Sequence, residues 1–271
     1  MQTYMSRKTK LEILATAIRK QILNLSYAAH IGHLGSAFSV VDILTVLYFQ
    51  VMKVDPQHPL LLQRDRFILS KGHAGAALFT VLKEKGYFSQ QILASYCQNG
   101  SLLLVHPEYN NLPGIEAGTG SLGHGLPVVA GIAYAAKKTG QKYHSYVLIS
   151  DAECNEGTIW EAALFAGHQQ LDNLTVIIDY NGTQALGQVK DILDLEPLAD
   201  KWQAFGWHVQ TVDGHNFSQL KSAFGLKTKI PKVIIAKTTM GKGVSFMEND
   251  FRLHYYDPKL EHLTLALKEL I

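Results

Sequence analysis

The stretch 145–187 constrains this chain most strongly. Tyr146-Val147-Leu148-Ile149 is a short apolar run rich in β-branched residues, of the kind that fills a strand buried on both faces. It breaks off at Ser150-Asp151-Ala152, which puts Asp151 at the carboxyl end of a strand. From Asn155 or Glu156 to about Gln170, Ile159, Ala162, Ala163, Ala166 and Leu171 recur at helical spacing, with Glu156 in the first turn. Leu174-Thr175-Val176-Ile177-Ile178-Asp179-Tyr180 then reads as the next strand, and Asn181 follows it directly. A right-handed crossover packs the helix on the sheet and turns both strand ends toward the crevice where open parallel sheets bind ligands. A carboxylate and an amide oxygen on neighbouring strand tips suit Mg²⁺ or Ca²⁺, which take oxygen ligands and complete their shell with carbonyls, water and phosphate oxygens. The backbone carbonyl of Thr183 is the expected third protein ligand. Taken singly, Asp151 is a helix cap and Asn181-Gly182 a turn; on one βαβ unit they make a cation site that clamps a phosphate.

The remainder alternates in the same way. Residues 9–29 read as a helix through Leu11, Leu14, Ile18, Ile22 and Leu25, and 40–51 as another, with a break at Asp55-Pro56. Strands are expected at 64–69, 209–212 and 233–236, and a helix at 128–138. The stretch 185–195 has few core residues and reads as a loop. The expected architecture is α/β, a doubly wound and mostly parallel sheet flanked by helices, with 1–271 as a single domain. With 47% hydrophobic residues the chain can bury a sizeable core.

Several further motifs carry a resemblance. Ser150-Asp151-Ala152-Glu153-Cys154-Asn155-Glu156-Gly157 with Asp179-Tyr180-Asn181-Gly182 resembles the thiamine diphosphate signature of the transketolase family, normally Gly-Asp-Gly with a downstream Asn. His33 in Gly32-His33-Leu34-Gly35, His73 in Ser70-Lys71-Gly72-His73, His106 in His106-Pro107-Glu108, Gly120-Ser121-Leu122-Gly123-His124-Gly125 and Thr238-Thr239-Met240-Gly241-Lys242-Gly243 follow in the family's order. Departures are visible too. Ser150 and Ala152 stand in place of two glycines, His124 where the family often has Gln, and Leu253-His254-Tyr255 in place of Trp-His-Gly, so His124 and His254 are left without a role.

The resemblance implies thiamine diphosphate as cofactor, with Mg²⁺ or Ca²⁺. Asp151, Asn181 and Thr183 would hold the metal, and the backbone N–H groups near Ala152 and Glu153 would face the diphosphate. Gly120, Ser121 and Leu122 would contact the aminopyrimidine and support the cofactor's bent shape. Glu156 would join the carboxylate chain between two active sites, or merely favour its helix dipole. His33, His73 and His106 are the candidates for proton transfer, His73 also touching cofactor, whereas His30, His144, His168 and His215 read as structural or solvated.

A full transketolase is more than twice as long and draws the glutamate that activates the cofactor from its pyrimidine-binding domain. The chain resembles only the diphosphate-binding part. The expectation is therefore the N-terminal subunit of a two-component transketolase that moves a two-carbon ketol unit from a ketose to an aldose. It would be inactive without a C-terminal subunit, in an α₂β₂ heterotetramer. Two other readings stay open: a related thiamine diphosphate enzyme, of deoxyxylulose-phosphate synthase or 2-oxoacid-decarboxylating type, and a noncatalytic homologue.

Charge and cysteine usage set outer bounds. The formal charge of +2 is spread along the chain, which offers no basic stripe for nucleic acid, and no 18-residue apolar run is present to span a membrane. The N-terminus has no apolar signal core, and Cys97 and Cys154 form no paired pattern, so a reduced cytoplasmic setting is expected.

Overall fold

A computed structural model describes residues 8–109 and 112–271. Its centre is a five-stranded, wholly parallel sheet: β1 (Arg66–Leu69), β2 (Ser145–Ser150), β3 (Leu174–Tyr180), β6 (His208–Asp213) and β7 (Lys232–Lys237). The order is β1-β2-β3-β7-β6, so the chain steps outward through three strands, crosses to the far edge and returns to fill the gap. Two-residue strands β4 (Thr183–Gln184) and β5 (Gly187–Gln188) form a separate small hairpin.

Side-chain alternation makes two cores, as a parallel sheet covered on both faces requires. Phe67, Leu69, Tyr146, Leu148, Ile177, Ile234 and Ala236 join one apolar cluster with residues of the helices Lys10–Ala29, Val41–Val46, Gly75–Lys85, Phe217–Gly225 and Leu260–Glu269. Ile68, Val147, Ile149, Val176, Ile178, Val233 and Ile235 join the other, against Gly125–Lys138, Gly157–His168 and Leu198–Ala204. The first helix starts where the sequence provides a capping box. Glu12 N–H donates to Thr9 Oγ1 at 3.3 Å, and Thr9 N–H to Glu12 Oε2 at 2.6 Å.

Two expectations are corrected. Glu156 is not in the first turn of its helix: a 3₁₀ turn, Ala152–Asn155, comes first, and Glu156 caps the α-helix Gly157–His168 with extended backbone. Nor is 185–195 a bare loop. It holds the second strand of the hairpin and a short helix, Val189–Ile192, and buries Val189 and Leu195 against the second core. The strands' carboxyl ends share one edge of the sheet. There the chain leaves β1 through Ser70-Lys71-Gly72-His73, β2 through Asp151, β3 through Asn181 and β7 through Thr238.

Candidate active site

A cavity of about 400 Å³ opens at that edge. Its wall holds Ser150, Ala152, Asn181 and Thr183 together with His33, His73, His106 and His254, and also Lys71, Gly120, Leu122 and the hairpin. The β2–β3 register, Ser150 opposite Asp179, sets Asp151 beside the turn after β3, where its Oδ2 accepts the Gly182 N–H at 2.7 Å. Its Oδ1 accepts the Ala152 N–H at 2.8 Å. Asp151 is fully buried, and burial followed by the charge of Asp179 pushes its carboxyl up to about 7.

The buried ammonium of Lys71 is engaged elsewhere, on Asp179 Oδ2 at 2.5 Å. The same oxygen accepts Ser39 Oγ–H at 2.7 Å and Asn181 Nδ2–H at 2.9 Å, while Thr238 donates to the other oxygen. Burial works against the Asp179 charge, but Lys71 and these donors hold its carboxyl below the ordinary range. Because the Asn181 nitrogen must face that acceptor, its Oδ1 turns to the Thr183 N–H at 2.9 Å. The Asp151 carboxyl thus sits beside the Asn181–Thr183 turn, held to it by the Gly182 N–H. A carboxylate and an amide oxygen are donors that suit a hard, oxygen-preferring ion.

Glu153 acts as a brace. Its buried carboxylate accepts the Gly123 N–H and the Ser150 N–H, each at 2.9 Å, and the Ser70 hydroxyl. Three chain segments are thereby tied together, although burial raises the carboxyl's pKa. The Ala152 and Glu153 N–H groups, expected to face a diphosphate, are engaged by Asp151 and by Ser150 Oγ at 3.2 Å in this state. Neither Ser150 nor Ala152 has positive φ, so the departures from glycine cost no backbone strain.

The three predicted histidines converge, joined by a fourth. Ring centroids lie 5.5 Å apart for His33 and His73, 6.5 Å for His33 and His106, 4.9 Å for His33 and His254, and 5.5 Å for His73 and His254. His33 starts the helix Leu34–Ser39 with φ of 67°, a conformation rare for a non-glycine residue, and its N–H donates to His254 O at 2.8 Å. Gly72, next to His73, allows the close approach of another wall: a Cβ there would sit 2.9 Å from the Gly120 nitrogen. Burial, then the neighbouring charges of His106 and Lys71, lower the pKa of His33 to about 4. Burial lowers His254 to about 4 and His73 well below its usual value. These imidazoles are neutral at pH 7 and able to accept a proton, and His33 Nδ1 is buried with no hydrogen-bond partner among the described residues.

Other predicted positions stand outside this cavity wall. Ser121 and Glu156 are exposed, and neither is among the lining residues. His124 is exposed beside Leu122 O. His30 is a solvated partner of Asp257, His144 pairs with Thr175 Oγ1 at 2.8 Å, and His215 braces Asp42 at 2.7 Å. Sequence reasoning assigns no role to His254, Tyr255, Lys71 or Asp179. For the last two a signal exists, an ionisable residue set inside or directly after a strand otherwise built to be buried.

Residues 11–260 match the family described as transketolase, thiamine diphosphate binding domain. The chain is 40% identical over 263 residues to an apulose-4-phosphate transketolase subunit of Phocaeicola vulgatus, covering 96% of this chain and 93% of that one. It is 41% identical over 259 residues to 6-deoxy-6-sulfo-D-fructose transketolase subunit SqwG of a Clostridium species, covering 94% of each. The structure of Campylobacter jejuni transketolase superposes with a TM-score of 0.91 at 29% identity, over 97% of this chain but 43% of that one. The chain belongs to the transketolase family, to the part of it that binds thiamine diphosphate.

Proposed function

We propose that this chain, with 1–271 as one diphosphate-binding unit, is the N-terminal subunit of a two-chain transketolase. It would transfer a two-carbon ketol unit from a ketose to an aldose. The observation that carries the reading is one cavity lined both by the Asn181–Thr183 turn, behind which Asp151 is buried on the Gly182 N–H, and by four clustered imidazoles. Asp151, Asn181 and Thr183 would hold Mg²⁺ or Ca²⁺ against the diphosphate, and Gly120 and Leu122 would support the rings. Thiamine diphosphate supplies the carbon nucleophile and electron sink that breaking a carbon–carbon bond beside a carbonyl requires. The chain's own contribution there is to position and to move protons. Neutral His33, His73 and His254 accept protons from the sugar's hydroxyls and return them, with His106 at the same wall.

The relatives named as transketolase subunits favour a divided enzyme, and the substrates in their names are ketoses carrying an anionic phosphate or sulfonate. An anionic ketose is therefore the proposed donor, and a C-terminal subunit bearing the pyrimidine-binding domain the proposed partner in an α₂β₂ assembly. No helix among the described residues is long and apolar enough to cross a membrane. The test is ketol transfer by the purified chain with thiamine diphosphate and Mg²⁺, with and without the partner. Activity only in the mixture supports the reading; turnover by the chain alone, or by neither, refutes it.

A further inference from the structure

Tyr255 lines the same cavity as the four histidines, yet 71% of its surface is open. Its ring stands edge-on to His254, with centroids 4.7 Å apart at 87°, and to His33, at 5.2 Å and 67°. Its backbone is fixed against the opposite strand of chain: a Cβ on Gly32 would come within 2.8 Å of the Tyr255 carbonyl carbon, and the preceding carbonyl, of His254, holds the His33 N–H. The backbone is thus held at both residues, and the ring lies at the cavity wall against His33 and His254. Leu186, 84% exposed, also lines this cavity, so a second large exposed side chain borders the site.

We infer that Tyr255 is a specificity-determining residue, an aromatic wall beside the histidine cluster that limits the length of the aldose able to accept the two-carbon unit. The inference rests on the functional reading above. Tyr255 stands against His33 and His254, the histidines proposed to handle the sugar's protons, so a sugar seated on those imidazoles meets its ring. Carbons beyond the reacting aldehyde must pass its ring. A compact acceptor clears it; an extended one is pressed against it.

The experiment uses the two-chain enzyme with hydroxypyruvate as common donor and either glycolaldehyde or ribose 5-phosphate as acceptor. Tyr255→Ala should raise the ratio of kcat/KM for ribose 5-phosphate over glycolaldehyde about tenfold or more. Tyr255→Phe should leave it within about twofold, because the ring is the wall, and neither should change the Kd for thiamine diphosphate. Tyr255→Leu, smaller but apolar, should fall between them and replaces the alanine variant if that one fails to fold. An unchanged ratio in an active Tyr255→Ala or Tyr255→Leu enzyme overturns the inference, as does an equal change in Tyr255→Phe. A wild-type pair that turns over neither acceptor defeats the functional reading itself, and the wall with it.

Discussion

Replacing Lys71 by Met isolates the charge that holds the site's scaffold together. The Lys71–Asp179 pair is buried, with side chains 1% and 0% exposed, and Asp179 also carries Ser39, Thr238 and Asn181. Methionine keeps the apolar stem but leaves a carboxylate in the interior with only neutral donors. Removing one partner of such a pair costs about 3–5 kcal/mol, most of it the penalty for the uncompensated charge. At about 2–4 °C per kcal/mol for a domain of this size, melting should fall by roughly 6–20 °C. The double variant Lys71→Met with Asp179→Asn removes the stranded charge and should recover at least about half of that loss. Urea unfolding and thermal melting of the three proteins at pH 7.5 measure the two quantities. A Lys71→Met variant within about 1 kcal/mol of wild type, or a double variant less stable than the single one, would refute the reasoning.

Glu153→Gln turns an amide nitrogen toward N–H or O–H donors on one side of the brace, so unfolding free energy should drop by about 1–3 kcal/mol, read by urea titration. Acid should destabilise the chain through its buried imidazoles. For His144 the folded pKa is depressed to about 4, so its contribution is complete above the unfolded value of 6.5 and is lost as pH falls through the folded one. Between pH 7 and pH 5 that amounts to about 2 kcal/mol, and His144→Gln, which keeps a group for Thr175, should flatten the pH dependence by that much. A variant with the wild-type slope would assign the acid sensitivity to other groups.

What the sequence discloses, and what it hides, follows from the range over which each signal acts. The β2–β3 unit is legible because β-branched runs and helical spacing are local, and the strand ends then dictate that Asp151 and Asn181 meet. His33, His73 and His106 can be chosen one by one, yet their convergence depends on segments that only tertiary packing brings together. The partnership of Lys71 with Asp179 spans 108 positions and leaves no periodic trace. Glu153 reads in sequence as a backbone N–H donor, but its side chain does the bracing, since a buried carboxylate can gather three donors from separate segments. The stretch 185–195 resembles a loop because two buried residues, Val189 and Leu195, are too few to make a pattern.

The central claim is that oxygens on two adjacent strand tips hold a divalent cation against a diphosphate. Calorimetric titration of the chain, with its partner subunit present, with thiamine diphosphate in Mg²⁺ tests it most directly. Wild type should bind saturably and lose binding in excess chelator, and Asp151→Ala, still folded by circular dichroism, should show at least a roughly tenfold weaker Kd. Equal affinity in the two proteins, or binding indifferent to the chelator, would contradict it.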